Sequence, residues 1–266
     1  MELPQMLEPF VVTENTFILP STVPLPGLGT LPVNSYVIRG SEPVLVDTGL
    51  PAFSDVFLEK LGSVLDPRDL EWIWLTHADV DHTGSLRRLL ELAPRAKLVT
   101  SYLGMGKLNI VEPVAPDRVY LLNPGQSLDI GDRQLTAYRP PVFDAPETTA
   151  FTDSRTGVLF SSDCFGALLN ESRPWAEEVP ADELEDGCIR WATVDAPWLH
   201  WVDERAHDQV LERIRRLDPK LVLSTHLPPA APGVTARLLS HLAQARRATP
   251  FVGPDQQALM AMLTAA

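Results

Sequence analysis

The chain has 266 residues, 45% hydrophobic and 21% charged, with a formal net charge of −13, which suits one large α/β domain or two small ones. The acidic balance argues against nucleic acid as a partner, because phosphate binding needs clustered Lys and Arg. No apolar run reaches the roughly 20 residues of a membrane helix.

The N-terminus lacks the basic start and apolar core of a secretory signal, so a cytoplasmic location is expected. The two cysteines, Cys164 and Cys188, are too few for a disulfide framework and read as inert buried thiols.

In chain order, the first clear element is the apolar run Pro43 to Val46, which stops abruptly at Asp47-Thr48-Gly49. The run Trp72 to Leu75 stops in the same way at Thr76-His77. Ser85 to Leu92 reads as an amphipathic helix that ends before Pro94. It is reached through Thr83-Gly84-Ser85, where polar capping is expected. Between Asn123 and Arg139, Pro124 to Asp132 reads as a strand and a tight turn. A third apolar run, Val158 to Phe160, ends in Ser161-Ser162-Asp163.

Residues 170–204 hold four of the six tryptophans among many acids. They are expected to form a helical cap packed by its indole rings. Asp203 to Leu217 carries Val210, Leu211, Ile214 and Leu217 at helical spacing and stops at Pro219. A fourth apolar run, Leu221 to Leu223, ends in Ser224-Thr225-His226. Continuous apolar runs of this length suit strands buried on both faces, within a sheet covered by helices. Ligand-binding residues in such sheets gather where strands end, so four strands ending in Asp or His point to one shared site.

The densest signal is Thr76-His77-Ala78-Asp79-Val80-Asp81-His82-Thr83-Gly84. It places four metal-ligating side chains directly after a buried strand. The spacing lets His77 and Asp79 aim at one ion while Asp81 and His82 point past them at a second. Imidazole with carboxylate suits Zn, Fe, Mn or Co. Of the six histidines, His77, His82 and His226 lie at or just beyond strand ends. His200, His207 and His241 fall in helical surroundings and are expected at the surface.

These segments resemble the metallo-β-lactamase superfamily, with its His-x-His-x-Asp-His motif followed by a distant His, a distant Asp and a final His. Asp79 stands where the second His of that motif would be, and this makes the chain most similar to the β-lactamase-like diiron domain of flavodiiron proteins and related oxygen-binding diiron proteins. Asn34 to Ile38 and Val44 to Thr48 resemble the family's opening strands, Thr76 to Leu86 its first motif, Ser161 to Gly166 its Ser-x-Asp-x-Phe-Gly segment, and Ser224 to His226 its last motif.

The resemblance implies an α/β metallo-β-lactamase fold, a four-layer αβ/βα sandwich, over residues 1–266. Residues 170–204 would be a Trp-rich helical segment and 228–266 a C-terminal extension, with no flavodoxin domain. It also implies a metal set of His77, Asp79, Asp81, His82, Asp144, Asp163 and His226, with Asp163 bridging two ions and no catalytic residues beyond the ligands. Asp144 occupies a position where the family has His. Either Asp144 ligates the first ion, or water or Glu147 fills the gap. Asp47 reads as a structural acceptor that holds the metal loop rather than as a ligand.

Three carboxylates around one ion favour Fe, with Mn and Zn as alternatives. The activity implied is binding or reduction of O2 or NO, as a sensor or as a reductase served by a separate electron-donating reductase. The other reading is a hydrolase of an ester, lactone, thioester or phosphodiester that uses a hydroxide held between the metals. A third is a non-enzymatic binding module. A homodimer accords with the family's habit.

Overall fold

The structure is a computed structural model that describes residues 3–111 and 113–265. Among these, two sheets form. The first has eight strands: β1 (Gln5–Met6), β2 (Phe10–Thr13), β3 (Thr16–Leu25), β4 (Gly29–Ile38), β5 (Val44–Val46), β6 (Trp72–Trp74), β7 (Lys97–Thr100) and β8 (Val119–Leu121). The second has six: β9 (Ser127–Asp129), β10 (Gln134–Tyr138), β11 (Ala150–Asp153), β12 (Val158–Phe160), β13 (Leu221–Ser224) and β14 (Leu227–Ala230). The helices are α1 (Ser54–Val64), α2 (Val80–Thr83), α3 (Leu86–Leu92), α4 (Tyr102–Val111), α5 (Ala181–Asp195), α6 (Glu204–Leu217), α7 (Pro232–Ala245) and α8 (Gln256–Ala265). No helix among the described residues is long and apolar enough to cross a membrane.

All four apolar runs become short strands, and their alternation assigns each residue to a layer. Val44 and Val46 face the space between the sheets, where they meet Trp74, Val99, Phe151 and Phe160. Leu45 faces the other way, with Ile73 and Leu98, onto Phe57 and Leu61 of α1 and Leu86 and Leu89 of α3. The second sheet repeats the pattern. Val158, Phe160, Leu221 and Leu223 point inward, whereas Leu159 and Val222 pack on α5, α6 and α7 through Leu184, Cys188, Leu211 and Leu238. Helices, sheet, sheet, helices is the four-layer αβ/βα order expected. Between the sheets, Phe151 stacks on Phe160 at 4.4 Å and tilts against Trp74 at 4.2 Å. Close aromatic contacts of this kind lock the two sheets together.

Strands β5, β6, β7 and β8 run parallel, as do β12 and β13. The ends of β5, β6, β12 and β13 therefore open toward one rim. The rim is sewn shut by polar contacts between sheets: Asn34 Nδ2 donates to the Ser224 and Leu227 carbonyls at 3.1 and 2.8 Å, and the Tyr36 hydroxyl donates to the Ser224 carbonyl at 2.6 Å. Within the 228–266 segment, β14 pairs with β13, and α7 buries Val234, Leu238, Leu239 and Leu242 against the same core as α5.

Two sequence expectations are corrected here. His207 and His241 are buried, not superficial, because they lie on the inner faces of α6 and α7, which pack Leu211, Ile214, Leu238 and Leu242 into one core. Burial holds both imidazoles below the usual histidine range. In the Trp-rich segment, Trp175 packs on Phe10 and Trp198 on Phe143, but Trp201 is 85% exposed.

Candidate metal centre

The rim is shaped by backbone that ordinary residues avoid. Asp47, Ser162 and Phe165 have φ of 56°, 56° and 71°, and left-handed backbone at non-glycine residues costs of order 1–3 kcal/mol each. The hydrogen bonds around them fix these turns. Thr76 donates its N–H to Asp47 Oδ1 and its hydroxyl to Asp47 Oδ2, both at 2.8 Å. Ser224 Oγ and the Thr225 N–H both donate to the Ser162 carbonyl, each at 3.0 Å.

Residues 80–83 form the one-turn α2 rather than a continuous loop, and this turn presents Asp81 and His82 inward. Gly84 permits it: a Cβ there would sit 2.3 Å from the backbone at Gly49 to Pro51, and its N–H donates to the Gly49 carbonyl at 2.9 Å. The expected polar cap at Ser85 is not made. Thr83 Oγ1 instead donates to the Asp79 carbonyl at 2.9 Å.

All seven residues singled out from the sequence converge. Asp163, at the end of β12, lies between two groups of donors. Its Oδ2 faces His77 Nε2 at 3.3 Å, while its Oδ1 faces His82 Nε2 at 3.2 Å and His226 Nε2 at 3.4 Å. On the first side, one donor atom from each of His77, Asp79 and Asp144 lies within 4.8 Å of the others, with Asp144 Oδ1 3.8 Å from His77 Nε2. On the second side, Asp81, His82 and His226 form an equivalent trio, with Asp81 Oδ2 3.6 Å from His82 Nε2 and 3.4 Å from His226 Nε2. Glu147, the other acid considered for the gap left by the missing His, is buried and paired to Lys107 Nζ at 2.5 Å.

The imidazoles are held with Nε2 inward. His226 Nδ1 meets the Pro32 carbonyl at 2.7 Å and His82 Nδ1 meets Asp47 Oδ2 at 2.9 Å. A proton on each Nδ1 donates outward and leaves the Nε2 lone pair for a ligand. Asp47 thus plays the supporting part expected of it. His77 Nε2, His82 Nε2 and Asp163 Oδ1 are buried without a hydrogen-bond partner among the described residues. Buried polar atoms are rarely left so, and a group of lone-pair donors around shared spaces fits two cations.

Without cations, protons carry the positive charge. Burial opposes protonation of His226, but Asp163 beside it outweighs this and pushes its pKa up to about 9. His82 rises well above the usual range for the same reason, with Asp47 and Asp81 adding to Asp163. Burial opposes ionisation of Asp163, yet His226, His82 and His77 hold its carboxyl well below the ordinary range. Asp144 is raised by burial, with Asp163 and Asp79 adding to it.

The solvent-facing side is formed by Asp79 and Asp144, whose side chains are 43% and 26% exposed. Lys107 Nζ stands 3.5 Å from Asp79 Oδ1 while paired to Glu147. The opposite wall is Trp191 of α5, whose ring tilts against His226 at 4.6 Å and whose Nε1 donates to the Asp163 carbonyl at 3.2 Å.

Two features of this surround escaped the sequence reading. One is the Lys107–Glu147 pair. The other is Asp195, which closes a further trio with Asp144 and Asp163. Burial, Asp163 and Asp144 together raise the Asp195 carboxyl well above the usual range. Its one sequence signal is an acid on the inner face of α5, in register with Leu184, Cys188 and Trp191.

Residues 31–226 match the model of the ODP family beta lactamase. The chain is 31% identical over 154 residues to a putative diflavin flavoprotein A 2 of Nostoc sp., covering 57% of this chain and 26% of that protein. It is 31% identical over 159 residues to the anaerobic nitric oxide reductase flavorubredoxin of Salmonella arizonae, covering 59% of this chain and 33% of that one. It spans between about a quarter and a half of the length of the curated relatives it matches.

Among solved structures, the rubredoxin oxygen:oxidoreductase of Desulfovibrio gigas superposes with a TM-score of 0.81 at 18% identity, over 92% of this chain and 63% of that one. The flavodiiron protein from Giardia intestinalis gives 0.79 at 18% identity, over 91% and 60%. The fold is therefore the metallo-β-lactamase fold of flavodiiron cores.

Proposed function

The chain belongs to the ODP family of β-lactamase domains, and from that premise we propose that it binds O2 or NO at a dinuclear iron centre, reducing it when a separate reductase supplies electrons. The single observation that carries this reading is Asp163, which turns one carboxylate oxygen to His77 and the other to His82 and His226. A carboxylate so shared is suited to bridging two ions. His77, Asp79 and Asp144 would hold the first ion and Asp81, His82 and His226 the second, with Asp163 on both. Three carboxylates and one imidazole form a hard, oxygen-rich set, which supports Fe or Mn over Zn.

Two bound irons would supply Lewis acidity and would pass on to the gas the electrons that the separate reductase delivers. The protein's own part is positional. Asp47 and the Pro32 carbonyl fix the orientation of two imidazoles, and Trp191 covers His226 and excludes water from that wall. Asp79 and Asp144 line the side open to solvent, through which a diatomic molecule can enter. The Lys107 ammonium beside Asp79 offsets part of the negative charge at that opening.

The test is to purify the protein without oxygen, load Fe(II) and follow absorption on adding O2 or NO. A spectral change that saturates at one gas molecule per pair of irons is expected. Two tightly held zincs together with esterase or phosphodiesterase activity would contradict the reading and favour the hydrolase.

A further inference from the structure

Asp195 is the last residue of α5. One oxygen from each of Asp144, Asp163 and Asp195 lies within 4.8 Å of the other two. Like charges this close in a buried site repel strongly unless a cation or a proton lies among them. The Asp195 Oδ2 atom is sealed from solvent and has no hydrogen-bond partner among the described residues. Asp195 also stands at a helix C-terminus, where the unpaired carbonyls carry partial negative charge and favour a cation over a carboxylate.

The approach of α5 is fixed by several contacts. A Cβ on Gly187 would sit 2.4 Å from the Leu168 carbonyl oxygen, so only glycine lets the helix backbone come this close. Cys188 Sγ lies 3.9 Å from the Phe165 carbonyl. Trp191 donates to the Asp163 carbonyl and leans on His226. Positions 187, 188, 191 and 195 share one helical face, so the contacts that hold α5 against residues 163–168 also carry Asp195 to the rim. This wedge brings the acid to the rim, where its Oδ2 meets no hydrogen-bond donor among the described residues.

We propose that Asp195 is a further metal-binding carboxylate of this centre, joining Asp144 and Asp163 on the ion nearest His77. The inference rests on the dinuclear reading and deepens it. That ion is then offered four carboxylates and one imidazole, a set that discriminates against Zn more strongly than the motif residues alone.

The 266-residue chain is stripped of metal and titrated anaerobically with Fe(II), and separately with Zn(II), against a chromophoric chelator. The wild type is compared with Asp195→Asn, Asp195→Ala and the exposed-face control Asp186→Asn. In the wild type and the control, two irons are expected to bind. In both Asp195 variants, one iron is retained with unchanged affinity and the other weakens by about 10-fold or more, as loss of metal-site partners does, with a smaller loss for Zn(II). The metal-induced rise in Tm shrinks in parallel. Metal-free Asp195→Asn melts at or above the wild type, because a buried repulsion is relieved, and this confirms that the variant is folded.

Two irons bound by the Asp195 variants with wild-type or higher affinity would overturn the assignment and leave the dinuclear reading intact. A wild type that binds fewer than two irons would overturn both.

Discussion

Removing the metal should make the stability of this protein depend on pH in a direction set by the histidines of the centre. In the metal-free protein His226 has its pKa pushed from 6.5 up to about 9, because Asp163 stabilises the imidazolium by more than burial destabilises it. A folded-state pKa above the unfolded one means that the folded protein binds more protons. The stability this confers is fully present below pH 6.5 and is lost as pH rises through 9. At 1.36 kcal/mol per unit, the shift is worth on the order of 3 kcal/mol, or roughly 6–12 °C in Tm for a domain of this size.

His82, also raised, acts in the same direction; the raised carboxyls of Asp144 and Asp195 add slope of the same sign only from the ordinary carboxylate range up to their own folded pKa. Asp163 is held well below the ordinary range, so it stays ionised throughout this window and contributes no slope there. Thermal melts of chelator-treated protein between pH 6 and 9.5 measure the effect. Tm is expected to fall with pH, and His226→Gln to flatten part of the fall. Metal binding must displace the same protons, so apparent metal affinity should rise over this window. A metal-free Tm that is level or rising between pH 6.5 and 9 would refute the charge arrangement from which the argument starts.

Three substitutions probe the surround. Asp47→Ala removes the acceptor for Thr76 and His82 and should weaken iron binding about 10–100-fold, measured by chelator competition. Gly84→Ala forces a Cβ into the Gly49–Pro51 backbone; a loss of about 3 kcal/mol in urea unfolding is expected, with lower metal content. Lys107→Met strands the buried Glu147 carboxylate and should cost roughly 3 kcal/mol. Adding Glu147→Gln should restore most of that loss in the same urea assay, since the stranded charge is then gone.

Much of the centre was legible because its residues sit at abrupt polar stops after buried strands. Asp47, His77, Asp163 and His226 each follow an apolar run whose strand character is unambiguous, and His77 to His82 are local in sequence. What was not legible depends on distant packing. Lys107 and Glu147 are 40 positions apart, and nothing in either segment announces the other. Asp195 lies in a stretch rich in acids, and only the close approach of α5, permitted by Gly187, distinguishes it from its solvated neighbours. His207 and His241 looked superficial because they stand in helical stretches away from the strand ends, yet they fall on the packed faces of α6 and α7. The turn α2 was read as loop because four residues are too few to show helical periodicity.

The account turns on two ions flanking Asp163, and anomalous diffraction at the iron edge from anaerobically grown, iron-loaded crystals tests this most directly. Two iron peaks are expected, one on the Oδ2 side of Asp163 with His77 and Asp144, the other on the Oδ1 side with His82 and His226. A single peak, or iron bound away from Asp163, would contradict it.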